Sequence, residues 1–251
     1  MPVTRSIVPN LFTLMNIFSG FTAIVYTSDG EFTTAAIFIF IAAVFDMLDG
    51  VMARLFKATS EFGAELDSLC DAVSFGVAPA YMLYALYFHT LGEIGILLAS
   101  LPALAGVVRL ARFNVHNVSF DDKNYFTGMP IPSSALTIIA YVVFVHGQGY
   151  YPVSWELYVV TGLSIMTSLS MVSSVKFDNI PRPTKKAIKQ RPIVFVIFIG
   201  GFVLNIVTSG KHIFHFMLFY ILSSSLRHFI KWLRANPEAA DDIDESETED
   251  N

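Results

Sequence analysis

Asp46, Asp49, Asp67 and Asp71 stand three, eighteen and four residues apart, on either side of a short loop that holds Arg54 and Lys57. Asp46 and Asp49 are related by i, i+3 and Asp67 and Asp71 by i, i+4, so on helices each pair projects from one side. Two such helices facing each other converge four carboxylates. Like carboxylates a few ångströms apart in low dielectric cannot all stay ionised unless cations neutralise them. Two Mg²⁺ or Mn²⁺ ions would do so, and pairs of such ions recur in enzymes that displace at phosphorus. The four aspartates are therefore candidate ligands of two divalent metals.

The elements that must position them lie in a membrane. The 251-residue chain is 54% hydrophobic, with a mean hydropathy of +0.57, which is too apolar for an ordinary soluble domain. Hydropathy predicts an all-α, polytopic bundle of eight spans: Ile7–Thr27, Phe32–Leu48, Ser68–Phe88, Ile94–Phe113, Ser133–Gly147, Glu156–Val175, Ile193–Thr208 and Ile213–Ile230. Arg5, Arg54/Lys57, Arg109/Arg112/Lys123, the run from Lys176 to Arg191, and Arg227/Lys231/Arg234 all fall on one side, leaving only Lys211 on the other. Basic residues are retained on the cytoplasmic side of short loops. Both termini and the aspartates are thus expected at the cytoplasmic face, with the cell inner membrane the expected location. Arg5 before an apolar stretch imitates a secretory leader, but Pro9, Asn10, Thr13 and Asn16 interrupt that stretch and no small-residue cleavage site follows.

Residues 1–235 form the expected membrane domain and residues 236–251 an acidic tail. The net charge of −5 comes from that tail, which holds eight of the twenty-one acids and leaves sixteen basic residues over thirteen acidic ones elsewhere. A segment so rich in Asp, Glu, Ser and Thr has too little apolar content to fold. Nothing in the pattern points to nucleic acid. A single cysteine, Cys70, excludes an internal disulfide and a cysteine-rich metal site. Beside carboxylates its thiolate is disfavoured, so it is expected to pack. The six histidines are scattered, with no carboxylate partner at ligand spacing, and are expected to be structural or interfacial.

From Asp46 the chain runs DMLDGVMARLFKATSEFGAELDSLCD, or D-x₂-D-G-x₂-A-R-x₈-G-x₃-D-x₃-D, with eight specified positions in twenty-six residues. In this stretch the sequence resembles the CDP-alcohol phosphatidyltransferase family, whose pattern it matches at every fixed position. The resemblance covers about residues 9–132. It implies a helical membrane enzyme that transfers a substituted phosphoryl group from a CDP-linked lipid to an alcohol and releases CMP. DAVSFGVAPA from Asp71 to Ala80, RLARFN from Arg109 to Asn114 and FTGMPIP from Phe126 to Pro132 resemble the serine-using branch. CDP-diacylglycerol and L-serine are then the implied substrates, within a bilayer of membrane lipid, and a homodimer is implied by the family alone.

The residues agree with that chemistry. Gly50 and Ala53 lack bulk, so a flat base and its diphosphate can approach the backbone, and Gly63 is expected to let the loop turn back towards the second helix. Arg54 offers a planar fork of donors to phosphate oxygens, or alternatively a cytoplasmic anchor. Asn10 and Thr13, in a PNxxT element like that near the start of many family members, could face the donor's phosphates or could cap and pack the first helix. Arg109 and Arg112 are candidates for the acceptor's carboxylate. Asp71, by analogy with the family's final aspartate, is the candidate general base for the acceptor hydroxyl. The same fold with glycerol 3-phosphate or an inositol phosphate as acceptor is one alternative. A cation transporter is another, but it predicts acids in unwound midplane helices and an inverted repeat.

Overall fold

The computed structural model of the chain describes residues 3–56, 60–116, 125–146, 152–178, 200–201, 207–208 and 210–235. Among these, α1 (Val3–Ser28) and α2 (Phe32–Leu55) form an antiparallel pair. A turn at Asp29-Gly30 joins them, with Gly30 at φ 78°, a conformation that glycine adopts without steric cost. α3 (Glu61–Asp71) runs through a π-helical turn, Ala72–Val77, into α4 (Ala78–Leu86). α5 (Gly92–His116), α6 (Ile131–Phe144), α7 (Val153–Val172) and α8 (Ile213–Ala235) follow.

Six helical stretches among the described residues are long and apolar enough to cross a membrane: Pro9–Ser28, Phe32–Leu55, Glu61–Leu86, Phe88–Val115, Ser154–Val172 and Ile213–Ile230. The fifth expected span corresponds to the shorter apolar helix Ile131–Phe144. Most of the seventh, together with Lys57 and the acidic tail, lies outside the described residues. The all-α membrane bundle is thus observed, with one small exception. Tyr125–Thr127 pairs antiparallel with Lys176–Asp178 in the register Tyr125↔Asp178, Phe126↔Phe177, Thr127↔Lys176. Two further backbone bonds, Gly128 N–H to the Val175 carbonyl and Met129 N–H to the Ser170 carbonyl, both 2.9 Å, continue this clamp along the end of α7. The ribbon satisfies backbone groups that no helix encloses.

On α2 the buried residues include Ala35, Ala36, Ile39 and Ala42, while Ile37, Phe40 and Met47 point outwards. Large apolar side chains outside and small ones between helices are what hydrocarbon surroundings favour, because association there depends on close backbone packing. On α1 the buried stripe is Thr13, Asn16, Ser19, Gly20, Ala23 and Thr27. Cys70 is buried, as expected of a packing residue.

One histidine has a carboxylate neighbour in space, consistent with a structural role: His146 Nδ1 lies 3.6 Å from Glu156 Oε1 in the first turn of α7, and its ring meets Tyr87 edge-on at 5.9 Å. The helix ends bring the pair together although sequence spacing does not suggest it. This cluster adjoins Gly30 and Glu31, at the far end of α2 from the aspartates.

Candidate active site

Asp46 and Asp49 project from the last three turns of α2, and Asp67 and Asp71 from the second half of α3. Ser60 starts α3 as its N-cap, in extended conformation, with its hydroxyl accepting the Gly63 N–H at 3.0 Å. Asp46, Asp49 and Asp67 each offer a carboxylate oxygen within 4.8 Å of the others. Asp71 stands beside this group, close enough to feel the charges of Asp46 and Asp67. Its Oδ1 accepts from Asn16 Nδ2 at 3.0 Å.

The donor set fits a divalent cation. All the converging atoms are carboxylate oxygens, the ligands that hard cations take. Among the described residues Asp67 Oδ1 is buried with no hydrogen-bond partner, a costly condition for a carboxylate unless something positive meets it.

The first helix contributes more than the motif. Thr13 is buried, and its hydroxyl lies 3.0 Å from Asp49 Oδ2 and 3.2 Å from the Pro9 carbonyl. The structure directs that hydroxyl to a candidate ligand. Asn10 is half-buried, with Oδ1 beside the first turn of α3. Gly63 departs from expectation. It has no left-handed φ and lies inside α3, so it is not a turn-former. A Cβ there would come 3.1 Å from Ser60 Oγ and 3.5 Å from Asn10 Oδ1, so its small size admits the cap and α1 instead. Gly50 has open space where a side chain would be, as close approach of a ligand requires. Ala53 is half-buried and Arg54 is exposed at the end of α2.

The two α5 arginines separate. Arg109 is buried, carries a buried Nε with no hydrogen-bond partner, lies over the Phe113 ring at 5.8 Å, and feels the charge of Asp71. Arg112 is exposed and donates to the Val172 carbonyl at 2.8 Å, at the C-terminus of α7. There a cation meets carbonyls that the helix leaves unsatisfied. Asn114 Nδ2 donates to Ser68 Oγ at 3.1 Å, bracing α5 against α3.

Sequence reasoning overlooked Asn16, Ser74 and the π-turn that follows Asp71. Part of the signal was present: Thr13, Asn16 and Gly20 recur at i, i+3 and i+7 on one face of an otherwise apolar span, where polar groups are costly and seek partners.

The family model for CDP-alcohol phosphatidyltransferase matches residues 6–170. A CDP-diacylglycerol–serine O-phosphatidyltransferase of Helicobacter pylori is 32% identical over 219 residues, covering 87% of this chain and 90% of the relative. One from Methanocaldococcus jannaschii is 33% identical over 225 residues, covering 89% and 93%. An archaetidylserine synthase of Methanothermobacter thermautotrophicus is 36% identical over 176 residues, covering 68% and 70%. The chain belongs to the CDP-alcohol phosphatidyltransferase family.

Proposed function

We propose that this protein transfers a phosphatidyl group from CDP-diacylglycerol to L-serine, in a reaction dependent on two divalent cations, Mg²⁺ or Mn²⁺, giving phosphatidylserine and CMP. The observation that carries the reading is one constellation. Asp46, Asp49 and Asp67 converge beside a buried acid, Asp71, and a buried arginine, Arg109, that feels the charge of Asp71. The relatives, known as CDP-diacylglycerol–serine O-phosphatidyltransferases and an archaetidylserine synthase, favour serine over a phosphorylated polyol as acceptor. The aspartates lie on continuous helical stretches rather than in unwound midplane segments, which counts against a transporter.

Asp46, Asp49 and Asp67, with Asp71 beside them, would hold the metals. When bound, such cations neutralise the donor's diphosphate and the charge that builds on the departing nucleotide. The open space at Gly50 admits the nucleotide, and Arg54, exposed at the helix end, reaches its phosphates. Arg109 meets the carboxylate of serine with its planar fork. Asp71 takes the proton of the serine hydroxyl. The serine oxygen forms its bond to the β-phosphorus as the bond from that phosphorus to CMP breaks, and CMP leaves with the electron pair. Direct in-line attack is favoured over a covalent phosphatidyl-enzyme because the motif supplies no histidine or activated serine as nucleophile. The distribution of lysine and arginine supports a cytoplasmic face for this chemistry.

The test is CMP release by purified protein, with CDP-diacylglycerol and metal, in the presence of serine, glycerol 3-phosphate or no acceptor. Release that depends on serine, with phosphatidylserine as the lipid product, is expected. Release driven equally by glycerol 3-phosphate would overturn the choice of acceptor, and absence of release with any alcohol would overturn the reaction.

A further inference from the structure

The reaction as described leaves unused a set of buried contacts between α1 and the π-turn. Asn16 is fully buried, and its Nδ2 donates to Asp71 Oδ1 at 3.0 Å. With Asp71 ionised, as a role as base requires, the carboxylate only accepts and so faces the amide's nitrogen. The main-chain carbonyl of Asn16 accepts a second bond, from Ser74 Oγ at 3.1 Å. Ser74 is fully buried and lies within the π-turn, three residues beyond Asp71. One turn further along α1, Gly20 packs against the same residue. A Cβ on Gly20 would come within 2.6 Å of Ser74 Cα, so a side chain there would force the two backbones apart.

Three contacts therefore hold one short segment. A π-turn places an extra residue in the helical repeat, which is uncommon and is found most often at functional sites. Each residue turns an α-helix by about 100°, so relaxing the turn to α geometry would rotate everything on one side of it relative to the other. Asp71 is the residue at that junction. Asn16 grips it directly, and Ser74 and Gly20 hold the turn behind it against the same helix.

We propose that Asn16 is a positioning residue for Asp71: by engaging Oδ1 it fixes the rotation of the carboxylate and leaves Oδ2 as the oxygen that receives the acceptor's proton. The proposal rests on the reading of Asp71 as base. It assigns the π-turn a purpose, which is to keep Asp71 within reach of Asn16 while α4 still packs on α1.

The experiment compares Asn16→Leu with Asn16→Ala in purified full-length protein. Leucine keeps the buried volume and removes the donor, whereas alanine removes both. A positioning role predicts that both variants lose kcat by roughly 10–100-fold, the range for removing a partner that orients a reactive or ligating group. CDP-diacylglycerol binding by calorimetry and Mn²⁺ binding by paramagnetic resonance should stay within about twofold of wild type on that scale. A packing role predicts the opposite order, with near wild-type turnover for Asn16→Leu and a loss confined to Asn16→Ala. Wild-type kcat in Asn16→Leu, or parallel loss of donor and metal binding, overturns the proposal. Ser74→Ala covers the case in which Asn16 variants fail to fold. It removes only the bond to the Asn16 carbonyl and should lower kcat with binding intact, and an unchanged kcat overturns the proposal. Failure of the underlying reading looks different: Asp71→Asn would then either turn over like wild type or lose metal and donor binding together with turnover, whatever the Asn16 variants do.

Discussion

Thr13→Val tests whether α1 orients the candidate metal ligands. The two side chains are nearly the same size, and Thr13 is buried at 4% exposure, so the substitution leaves no cavity and removes one hydroxyl. That hydroxyl donates to Asp49 Oδ2 at 3.0 Å. Its other neighbour, the Pro9 carbonyl four residues back, keeps its place as acceptor in the helical ladder. The loss therefore falls on Asp49. A hydrogen bond to a charged group contributes about 1.5–3 kcal/mol, and each ~1.4 kcal/mol is a factor of ten in an equilibrium constant. If the bond fixes Asp49 for metal, the concentration of Mg²⁺ that half-activates the enzyme should rise by roughly 10–100-fold, the range seen when a partner behind a metal ligand is removed. The assay is initial CMP release against Mg²⁺ concentration, after EDTA treatment and at saturating serine and CDP-diacylglycerol. Saturating metal should restore most of kcat, and Thr13→Ser, which keeps the donor, should restore the low half-activating concentration. A Thr13→Val enzyme whose metal response stays within twofold of wild type would refute the reasoning and reduce Thr13 to a packing residue.

Asp46→Asn, Asp49→Asn and Asp67→Asn should each abolish transfer in a protein that still elutes as a folded detergent complex, and EDTA should silence wild type until Mg²⁺ or Mn²⁺ is returned; full activity in buffer shown by elemental analysis to be metal-free would end the two-metal reading. Arg109→Lys keeps charge but loses the fork, so the KM for serine should rise at least about tenfold with little change for CDP-diacylglycerol, while Arg112→Lys should act mainly on thermal stability through the α5–α7 tie. Equal rises for both substrates in Arg109→Lys would remove it from the acceptor site. Asp71→Asn should lose turnover but keep donor binding, and a donor isotopically chiral at the β-phosphorus should give inverted product. Retention of configuration would mean a covalent intermediate and an unrecognised nucleophile.

What could be seen in the sequence was whatever depends on spacing within one helix. The two aspartate pairs, the membrane-length runs and the small residues at Gly50 and Ala53 all follow from local periodicity, and they reappear on α2 and α3. Gly63 was misjudged because glycine at a loop end suggests a turn, whereas its surroundings demand only the absence of a side chain next to Ser60 and Asn10. The π-turn was invisible for a different reason. Nothing in AVSFGV opposes an ordinary helix, and the wider turn is held by Asn16 and Gly20, more than fifty residues earlier in the chain. The distinction between Arg109 and Arg112 likewise needed the end of α7 to be in place.

These cases share a physical cause, and it bears on how the site works. Convergence of the carboxylates belongs to neither α2 nor α3 alone, because like charges drive the helices apart. A third element has to set the distance. α1 packs against both, and the same buried stripe holds one acid from each: Thr13 reaches Asp49 on α2, and Asn16, one turn on, reaches Asp71 at the end of α3. Neutral donors suit this task, since a cationic side chain in the same place would compete with the metal for the carboxylates. The polar stripe of the first helix is therefore the frame on which the two halves of the motif are aligned. Under the proposed function it would act on metal affinity through Thr13 and on proton transfer through Asn16.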